Sequence, residues 1–581
     1  MPSVESGSAD YRPPTAPRPS GGPPRRAWLR RALLLSAAVF AAASAPATMT
    51  PLRLGDGDRL LIFAPHPNDE TLAAGGLIQE AAALELPVQV CFFTMGDNHE
   101  IPYLFTRRHP DPLPGAARSM APRRQIEAIA SSTQLGLATN QLVFLGYPDT
   151  GLMPIWQRHW RGTPPYRSPL TRANAVPYDR ALTPGSAHAG EDILDDLLEV
   201  LRDFQPTRIV LPHPADHNAD HRAIHLFVRA ALWQLESEDG PAPELLAAPV
   251  HFTQWPEPRR YQPLRHAAPP FFLRDNAEWM EYSLAPFQVS NKLAAIRRHH
   301  SQFRPFPAYL ESFVRKTELF AAIPDLAFPG GTGSADRPEE DPSRFQPDET
   351  LFEELSRLAE PWSALAGQHA AETQALAGHE NRFVRQTLDA DGSSLTLAFE
   401  FDEPLSEDCR LAVYLFGLRP GTPFGEMPKI EITATPQTII AVRDLAAKLP
   451  ARSIELLPGT PPTIALRIPL DLLGSPARLL TGAELSKDTL PVDWLPWRAL
   501  DLTGPLAAAP VPVAGSGADR PAPSRPESPP EAPAPASPEK PKPAAAPADQ
   551  PASPSPPRLV PRVRLPKPAP QPTEADEPVF W

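Results

Sequence analysis

The chain has 581 residues and a formal net charge of −13, and 81 of its residues are prolines. This length is enough for two or three domains, and the acidic balance argues against nucleic-acid binding, which needs a basic surface. Two cysteines exclude a disulfide-rich fold and a four-cysteine zinc site, so histidines and carboxylates must hold any metal. Proline at well above the ordinary level of about one residue in twenty indicates that part of the chain is not packed.

The first 50 residues have the composition of an export signal. Two arginine pairs, Arg25-Arg26 and Arg30-Arg31, precede an apolar run at residues 32–43, and small residues follow. This order is typical of a secretory signal, and Arg25-Arg26 also fits the twin-arginine form. The run is shorter than the roughly 20 residues of a membrane-spanning helix. We therefore expect an exported protein that is periplasmic, secreted or held at the membrane by an uncleaved N-terminal anchor.

Residues 51–328 have the pattern of an α/β domain with a Rossmann-like, mainly parallel sheet. Apolar runs alternate with helical patterns from residue 58 to residue 320. The predicted strands cover residues 60–64, 88–94, 142–145 and 208–211, and the predicted helices cover 72–83, 123–135, 193–204 and 221–235.

The second half of the chain has a different sequence pattern. We predict a linker with a short helix at residues 329–380. At residues 381–504, short alternating runs between turns predict an antiparallel β-sandwich of about seven or eight strands, which could bind carbohydrate or only cover the first domain. Proline and alanine dominate residues 505–581, which predicts a disordered, polyproline-like tail that could dock on an envelope or cell-wall partner.

Polar residues follow each predicted strand of the first domain. His66, Asn68, Asp69 and Glu70 follow the first strand, and residues 213–221 follow the fourth with the sequence His-Pro-Ala-Asp-His-Asn-Ala-Asp-His. Asp97 and Asp149 follow the second and third strands. Because ligands of such sheets bind outside the carboxyl ends of the strands, we expect these side chains to converge.

Two clusters of histidine and carboxylate are suited to a hydrolytic zinc site. Such a site uses three protein ligands and leaves one position open. His66 and Asp69 can reach one metal across a tight turn, and an imidazole from the loop after the fourth strand would complete the set. The zinc ion would acidify water and polarise a substrate carbonyl. Two alternatives stay open: the histidines could be structural, and Asp69 could only cap the following helix.

These motifs together resemble the PIG-L/LmbE-like zinc-dependent N-deacetylases, whose motifs are His-Pro-Asp-Asp-Glu and His-x-Asp-His. The resemblance covers residues 58–320. Further matches to the family are Arg124, Glu127, residues 144–149, Lys292, Ala295, His299, Ser301, Gln302 and residues 318–320. The resemblance implies a Zn²⁺ cofactor held by His66, Asp69 and His221, and removal of an N-acetyl group from an amino sugar of an envelope or secreted glycan or glycolipid.

The chain departs from both family motifs. Asn68 stands where the family has its general-base Asp, and an amide cannot accept a proton at neutral pH. Asn218 stands where the family has its oxyanion-stabilising His, so either Asn218 or the neighbouring His217 could take that role. In an active enzyme, Asn68 would orient the water while Asp216, Asp220, Glu70 or His217 takes the proton. The alternative is a catalytically impaired, metal-binding homologue that binds glycans.

Several other residues have two open interpretations. Asp97 and Asp149 could contact substrate or belong to turns. Arg124 with Glu127 could be a surface ion pair, and the positions at 292, 299 and 302 could be a solvated helix face. We expect His213 to be a loop residue, and we expect Trp156 and Trp160 to serve packing rather than sugar stacking.

Overall fold

The structure is a computed structural model that describes residues 49–97, 115–236, 242–323, 326–327, 333–336 and 383–503, apart from 253–254, 271–272, 275–276, 391, 448, 451–453, 460 and 488–489. The expected export signal, the short helix expected in the linker and the proline-rich tail therefore lie outside the described residues. Within these ranges, no helix combines the length and the hydropathy that crossing a bilayer requires.

An eight-stranded mixed sheet forms the first part of the fold. Its strands are β1 Thr50–Pro51, β2 Leu60–Ala64, β3 Val88–Thr94, β4 Leu142–Tyr147, β5 Arg208–Pro212, β6 Glu244–Ala248, β7 Glu278–Ser283 and β8 Thr317–Ala322. The strand order is β1-β7-β8-β6-β5-β2-β3-β4. The run from β6 to β4 is parallel, whereas β7 and β8 are antiparallel. The prediction of a mainly parallel sheet therefore holds for the strands that were predicted.

Helices connect and cover these strands. They are α1 Asp69–Ala83, α2 Gly115–Gln134, α3 Leu152–Arg158, α4 Gly190–Phe204, α5 Ala219–Glu236, α6 Pro286–Ile296, α7 His300–Phe303 and α8 Pro307–Glu311, with 3₁₀ turns at Thr139–Gln141 and Phe424–Glu426. Helix α4 shows why they form: Ile193, Leu197 and Leu201, spaced four residues apart, are buried on one face. The polar residues of α4 lie between these buried positions in the sequence.

Helix α1 is interrupted at Ala74, whose φ of −136° lies outside the helical range. The Glu318 carboxylate enters at this point and accepts the N–H groups of Gly76 and the next residue at 2.6 and 3.0 Å. Lys292 Nζ donates to the same carboxylate at 2.6 Å, and both side chains are buried. The backbone groups freed by the interruption are thus satisfied by a buried ion pair. Lys292 Nζ also donates to the carbonyl of Leu72 at 2.8 Å, which ties the pair to the first turn of α1, beginning at Asp69.

Two further sheets follow in the C-terminal part. Their strands are β9 Leu326–Ala327, β10 Gly333–Asp336, β11 Phe383–Ala390, β12 Ser394–Phe401, β13 Cys409–Leu418, β14 Lys429–Ala434, β15 Ile439–Asp444, β16 Leu449–Pro450, β17 Glu455–Leu457, β18 Thr463–Pro469, β19 Arg478–Lys487 and β20 Leu490–Asp501. The sheets have the orders β10-β11-β12-β18-β17 and β16-β15-β14-β13-β19-β20-β9. Alternate residues of β12, such as Leu395 and Leu397, share a buried core with β13 residues such as Leu411 and Val413. We call these two layers the C-terminal sheets.

Two predictions for this region were wrong. Residues 333–336 form a strand that pairs with β11 instead of belonging to a linker. The described residues also contain more than seven or eight strands, because short edge strands such as β16 and β17 carry too few residues for a recognisable alternation.

The C-terminal sheets dock on the first part of the fold through aromatic side chains. Trp156 and Trp160 are fully buried and lie in one hydrophobic core with Phe416, Phe424 and Trp497. The ring centroid of Trp156 is 5.4 Å from that of Phe416 and 5.7 Å from that of Trp497. The two tryptophans therefore serve packing, as expected, and the α/β part and the C-terminal sheets share a continuous core.

Candidate metal centre

The polar loops meet because of the strand order. Strands β2 and β5 are parallel neighbours, with Leu60 opposite Arg208. The loops that follow these strands therefore leave the same edge of the sheet side by side, and the loops after β3, β4 and β6 leave it next to them. This edge gathers side chains that are far apart in the sequence.

The structure brings the three predicted metal ligands together. One ligand atom from each of His66, Asp69 and His221 lies within 4.8 Å of the other two. His66 Nδ1 and His221 Nε2 are 3.1 and 3.2 Å from the same oxygen, Asp69 Oδ2. All three side chains are buried. Asp69 is the first residue of α1, with Asn68 at the N-cap position, so capping is not the role of Asp69.

The donor set fits a divalent cation. Asp69 Oδ1 and the metal-facing nitrogen of His221, Nε2, are buried and make no hydrogen bond in the described part of the chain. Buried polar atoms without partners are rare and require an explanation. Two imidazoles and a carboxylate that converge on one point, with ligand atoms left over at Asp69 and His221, have the composition of a zinc site with an open position.

A carboxylate faces the remaining nitrogen of each liganding imidazole. Asp216 Oδ2 lies 3.2 Å from His221 Nδ1, while Asp149 Oδ1 and Asp220 Oδ2 lie 3.3 and 3.5 Å from His66 Nε2. Such partners fix the tautomer and the ring orientation of metal-binding histidines. Asp149 therefore supports the metal ligands. The sequence alone had left open whether Asp149 contacts substrate or belongs to a turn.

The pKa values of the three ligands indicate that the carboxylates around them favour a positive charge at this point. Burial alone would lower the pKa of His221, but Asp216 and Asp69 raise it to about 9. The pKa of His66 is likewise raised, against burial, first by Asp149. Burial would raise the pKa of Asp69, but His221 and His66 hold it well below its usual range. The surrounding carboxylates thus favour positive charge at this point, and a divalent cation would supply that charge.

Asn68 occupies a strained backbone position beside the ligands. Its φ of 120° lies in a region that non-glycine residues rarely adopt. Its N–H donates to Glu70 Oε2 at 2.9 Å, and Glu70 Oε1 lies 3.3 Å from His299 Nε2. A buried carboxylate and imidazole thus hold the backbone of Asn68 next to the centre.

The remaining predicted catalytic residues have structural contacts of their own. Asn218 Oδ1 accepts the N–H groups of Asp220 and His221 at 2.9 and 3.4 Å and so caps α5. The His217 ring packs against Phe252, with ring centroids 5.4 Å apart. Asp220 accepts the N–H of Thr150, in the loop after β4, at 2.6 Å and that of Leu152, the first residue of α3, at 3.0 Å. These contacts favour positioning roles over direct proton transfer.

Sequence reasoning missed His251, which follows β6. Its Nε2 lies 3.8 Å from Asp69 Oδ1, its ring centroid is 4.7 Å from that of His221, and its side chain is 33% exposed. The Tyr309 hydroxyl lies 3.0 Å from His251 Nδ1 and orients the ring. The sequence feature that could have identified His251 is its position one short loop after a buried strand.

The second group of family-like residues is buried, not solvated. Arg124 donates to the carbonyls of Gly96 and Pro67 at 2.7 and 3.0 Å, so it is not half of a surface ion pair. Glu127 accepts both the N–H and the hydroxyl of Ser301. His213 is a loop residue directly after β5, as expected, and its buried side chain stacks on a tryptophan of β7. The Lys292, His299 and Gln302 side chains are also buried, so the interpretation as a solvated helix face was wrong.

Asp97 belongs to the same buried network. Its carboxylate accepts the N–H of Asp149 at 3.1 Å and the hydroxyl of Tyr178 at 2.5 Å. Burial and the neighbouring Asp149 raise the pKa of Asp97 to about 6. In the structure Asp97 thus holds the loop that carries Asp149.

Comparison with known proteins gives one family and several similar proteins. The family model described as PIG-L: GlcNAc-PI de-N-acetylase matches residues 61–232. The 1D-myo-inositol 2-acetamido-2-deoxy-alpha-D-glucopyranoside deacetylase 1 of Saccharopolyspora erythraea is 32% identical over 186 residues, which cover 30% of this chain and 53% of that protein. The chain thus spans about half the length of this curated relative.

Two solved structures are also similar to this chain. N,N'-diacetylchitobiose deacetylase from Pyrococcus horikoshii is 18% identical, with a TM-score of 0.30 over 46% of this chain and 84% of that one. The 4-carboxy-2-hydroxymuconate hydratase of Pseudomonas putida is 17% identical, with a TM-score of 0.30 over 46% of this chain and 98% of that one.

Proposed function

We propose that this chain, whose residues 61–232 form a PIG-L family domain, is a metal-dependent hydrolase that removes the acetyl group from an N-acetylated amino sugar. The observation that carries the proposal is the convergence of the buried His66, Asp69 and His221, among which Asp69 Oδ1 and His221 Nε2 make no hydrogen bond in the described part of the chain. The match of residues 61–232 to a de-N-acetylase family supports the reaction type, and the curated relative supports an N-acetylated sugar as the substrate class.

In this proposal His66, Asp69 and His221 hold a zinc ion. Zinc supplies a Lewis acid that polarises the acetamide carbonyl and makes water a better nucleophile near neutral pH. The chain's own contribution is to keep the ligands deprotonated toward the metal and fixed in direction. Asp216 does so for His221, while Asp149 and Asp220 do so for His66.

The proton that water loses needs an acceptor other than Asn68. Asp216 and Asp220 each accept backbone N–H groups, and Glu70 accepts the N–H of Asn68. We assign the transfer to His251 Nε2, which faces Asp69 and belongs to a partly exposed ring. The oxygen of water bonds to the acetamide carbon, the C–N bond breaks, and the proton passes through His251 to the leaving nitrogen. The products are acetate and a free amine.

Acetate release and metal content test this proposal together. The purified chain should contain about one zinc per molecule and release acetate from an N-acetylglucosaminyl inositol or from N,N'-diacetylchitobiose. Asp69→Ala and His221→Ala should lose both the metal and the activity. His251→Phe should retain the metal and lose roughly 10²–10⁴-fold in kcat, the usual value of a general base. His266→Ala, at a half-exposed histidine that faces Glu281, is the matched control. A chain that holds no metal contradicts the proposal.

Asn68 favours a second candidate function. With an amide at the base position, the chain could keep the metal and bind N-acetylated glycans without turnover. Asn68→Asp separates the two functions. If the wild type is inactive across the substrate panel and Asn68→Asp gains activity, the chain is a glycan-binding homologue. If the wild type is active, the hydrolase proposal stands.

Export is a further part of the proposal. Arg25-Arg26 and the apolar run that follows support it, and export suggests an envelope or secreted glycan or glycolipid as substrate, with the proline-rich tail reaching an envelope partner. N-terminal sequencing of material outside the cytoplasm tests cleavage. A mature chain that still begins with Met1 would exclude a cleaved signal.

A further inference from the structure

Arg222 connects the metal centre to the C-terminal sheets. It directly follows His221, and its Nη1 donates to the carbonyls of Asp216 and His217 at 2.8 Å each. Its guanidinium carbon lies 3.8 Å from the centre of the Trp494 ring, which belongs to β20. A cation stacked on an indole face at this distance is held in direction as well as attracted. Arg222 thus bridges the loop after β5 and the C-terminal sheets.

The loop that Arg222 holds is the one that directs His221. Asp216 is fully buried, and its carboxylate lies 3.2 Å from His221 Nδ1. The same carboxylate accepts the N–H of Asn218 at 2.8 Å and that of His251 at 3.0 Å. A shift of the Asp216 backbone would therefore change the direction of the His221 imidazole and displace the backbone of His251. The Arg222 guanidinium carries a positive charge at neutral pH, as arginine side chains do in proteins.

We propose that Trp494 and Arg222 act as a clamp through which the C-terminal sheets position Asp216 and hence the ligand His221. Arg222 is a positioning residue in this scheme because it contacts the loop and not the ligand atoms. An effect of this clamp on catalysis rests on the proposed function. The contacts that form the clamp do not depend on that function. The clamp gives the C-terminal sheets a role in building the metal centre.

The opposite end of the same helix provides a matched control. Helix α5 runs from the metal centre at Ala219 to Glu236. At its far end Arg478 of β19 pairs with Glu236 and lies 5.6 Å above the Trp233 ring. Arg478→Ala therefore removes a docking contact of the same kind from the same helix, away from the metal ligands.

Zinc affinity by chelator competition in the full chain is the first measurement. Partners of metal ligands typically change affinity by 10- to 100-fold, so Trp494→Ala and Arg222→Ala should each weaken zinc binding about tenfold. The double variant should be no weaker than the worse single one, because both remove the same clamp. Trp494→Phe should recover part of the affinity, and Arg478→Ala should change it less than twofold. Equal effects of Arg478→Ala and Trp494→Ala would overturn the clamp.

Hydrogen exchange of the metal-free chain is the second measurement and does not need zinc. Amides of residues 213–222 should exchange faster in Trp494→Ala than in the wild type, and Arg478→Ala should leave them unchanged. If the wild type binds no zinc, the proposed function fails. The hydrogen-exchange experiment still tests whether Trp494 and Arg222 hold the loop. Unchanged exchange in Trp494→Ala would overturn the clamp even if the chain is an active deacetylase.

Discussion

Trp156→Ala should separate the C-terminal sheets from the rest of the fold. The Trp156 ring is fully buried, and five aromatic rings surround it with centroids 4.9 to 5.7 Å away. Truncating a buried aromatic side chain costs about 3–5 kcal/mol, a value that includes the lost ring contacts, and five ring contacts place Trp156 at the upper end of this range. The indole N–H has no partner among the described residues, so no hydrogen bond is lost. We expect a loss of about 5 kcal/mol in the free energy of unfolding.

Urea unfolding followed by far-UV circular dichroism measures this loss. The wild type should unfold in one transition, because the two parts share a core, whereas Trp156→Ala should show an earlier separate transition of the C-terminal sheets. Trp279→Ala is the control, since Trp279 is equally buried but packs on His213 within the first sheet. It should destabilise the chain without splitting the transition. Two separate transitions in the wild type, or a loss below about 1 kcal/mol in Trp156→Ala, would refute the shared core.

Two further predictions concern other buried contacts. Gly96→Ala should destabilise the chain by more than about 3 kcal/mol in urea unfolding, because the new Cβ would overlap the Arg124 guanidinium; Gly185→Ala, which also has positive φ but no atom within 4 Å of its Cβ, should cost only about 1 kcal/mol. Burial lowers the pKa of Lys429 from 10.5 to about 7, so the unfolded chain holds this proton over a pH range where the folded chain has lost it. Folded stability should therefore rise by roughly 2–3 kcal/mol between pH 7 and pH 9, at 1.36 kcal/mol per unit, and Lys429→Met should lose this rise. Equal costs of the two glycine variants, or an unchanged slope in Lys429→Met, would contradict these predictions.

The first part of the fold could be predicted well because each of its central strands is a short, continuous apolar run. The observed bounds of β2 and β3 agree with the prediction, and β4 and β5 extend it by one or two residues. The C-terminal sheets were predicted less completely. Strand β20 contains two prolines, and β19 contains a glycine that lets the Trp497 ring approach the backbone. Such strands lose the plain alternation on which sequence reasoning depends.

The metal ligands were predictable because each stands at a fixed offset from a strand end, inside a recognisable motif. His251 was not, since the run before it is short and rich in alanine, and its partner Tyr309 is 58 residues away. The proposed role of Asn218 as an oxyanion donor followed from motif position alone. The capping contact of its side chain becomes visible only when the start of α5 is known.

Much of what shapes the centre lies outside residues 61–232. His251, the Lys292–Glu318 ion pair that fixes the first turn of α1, and Trp494 beneath Arg222 all come from later in the chain. The matched region thus contributes the ligands, while their directions and the candidate proton acceptor depend on contacts made after residue 232. A fragment ending near residue 232 would expose the buried faces of α3 and α5 and leave Asp69 and His221 without these supports. Zinc affinity and activity are therefore properties to measure on a chain that includes the C-terminal sheets.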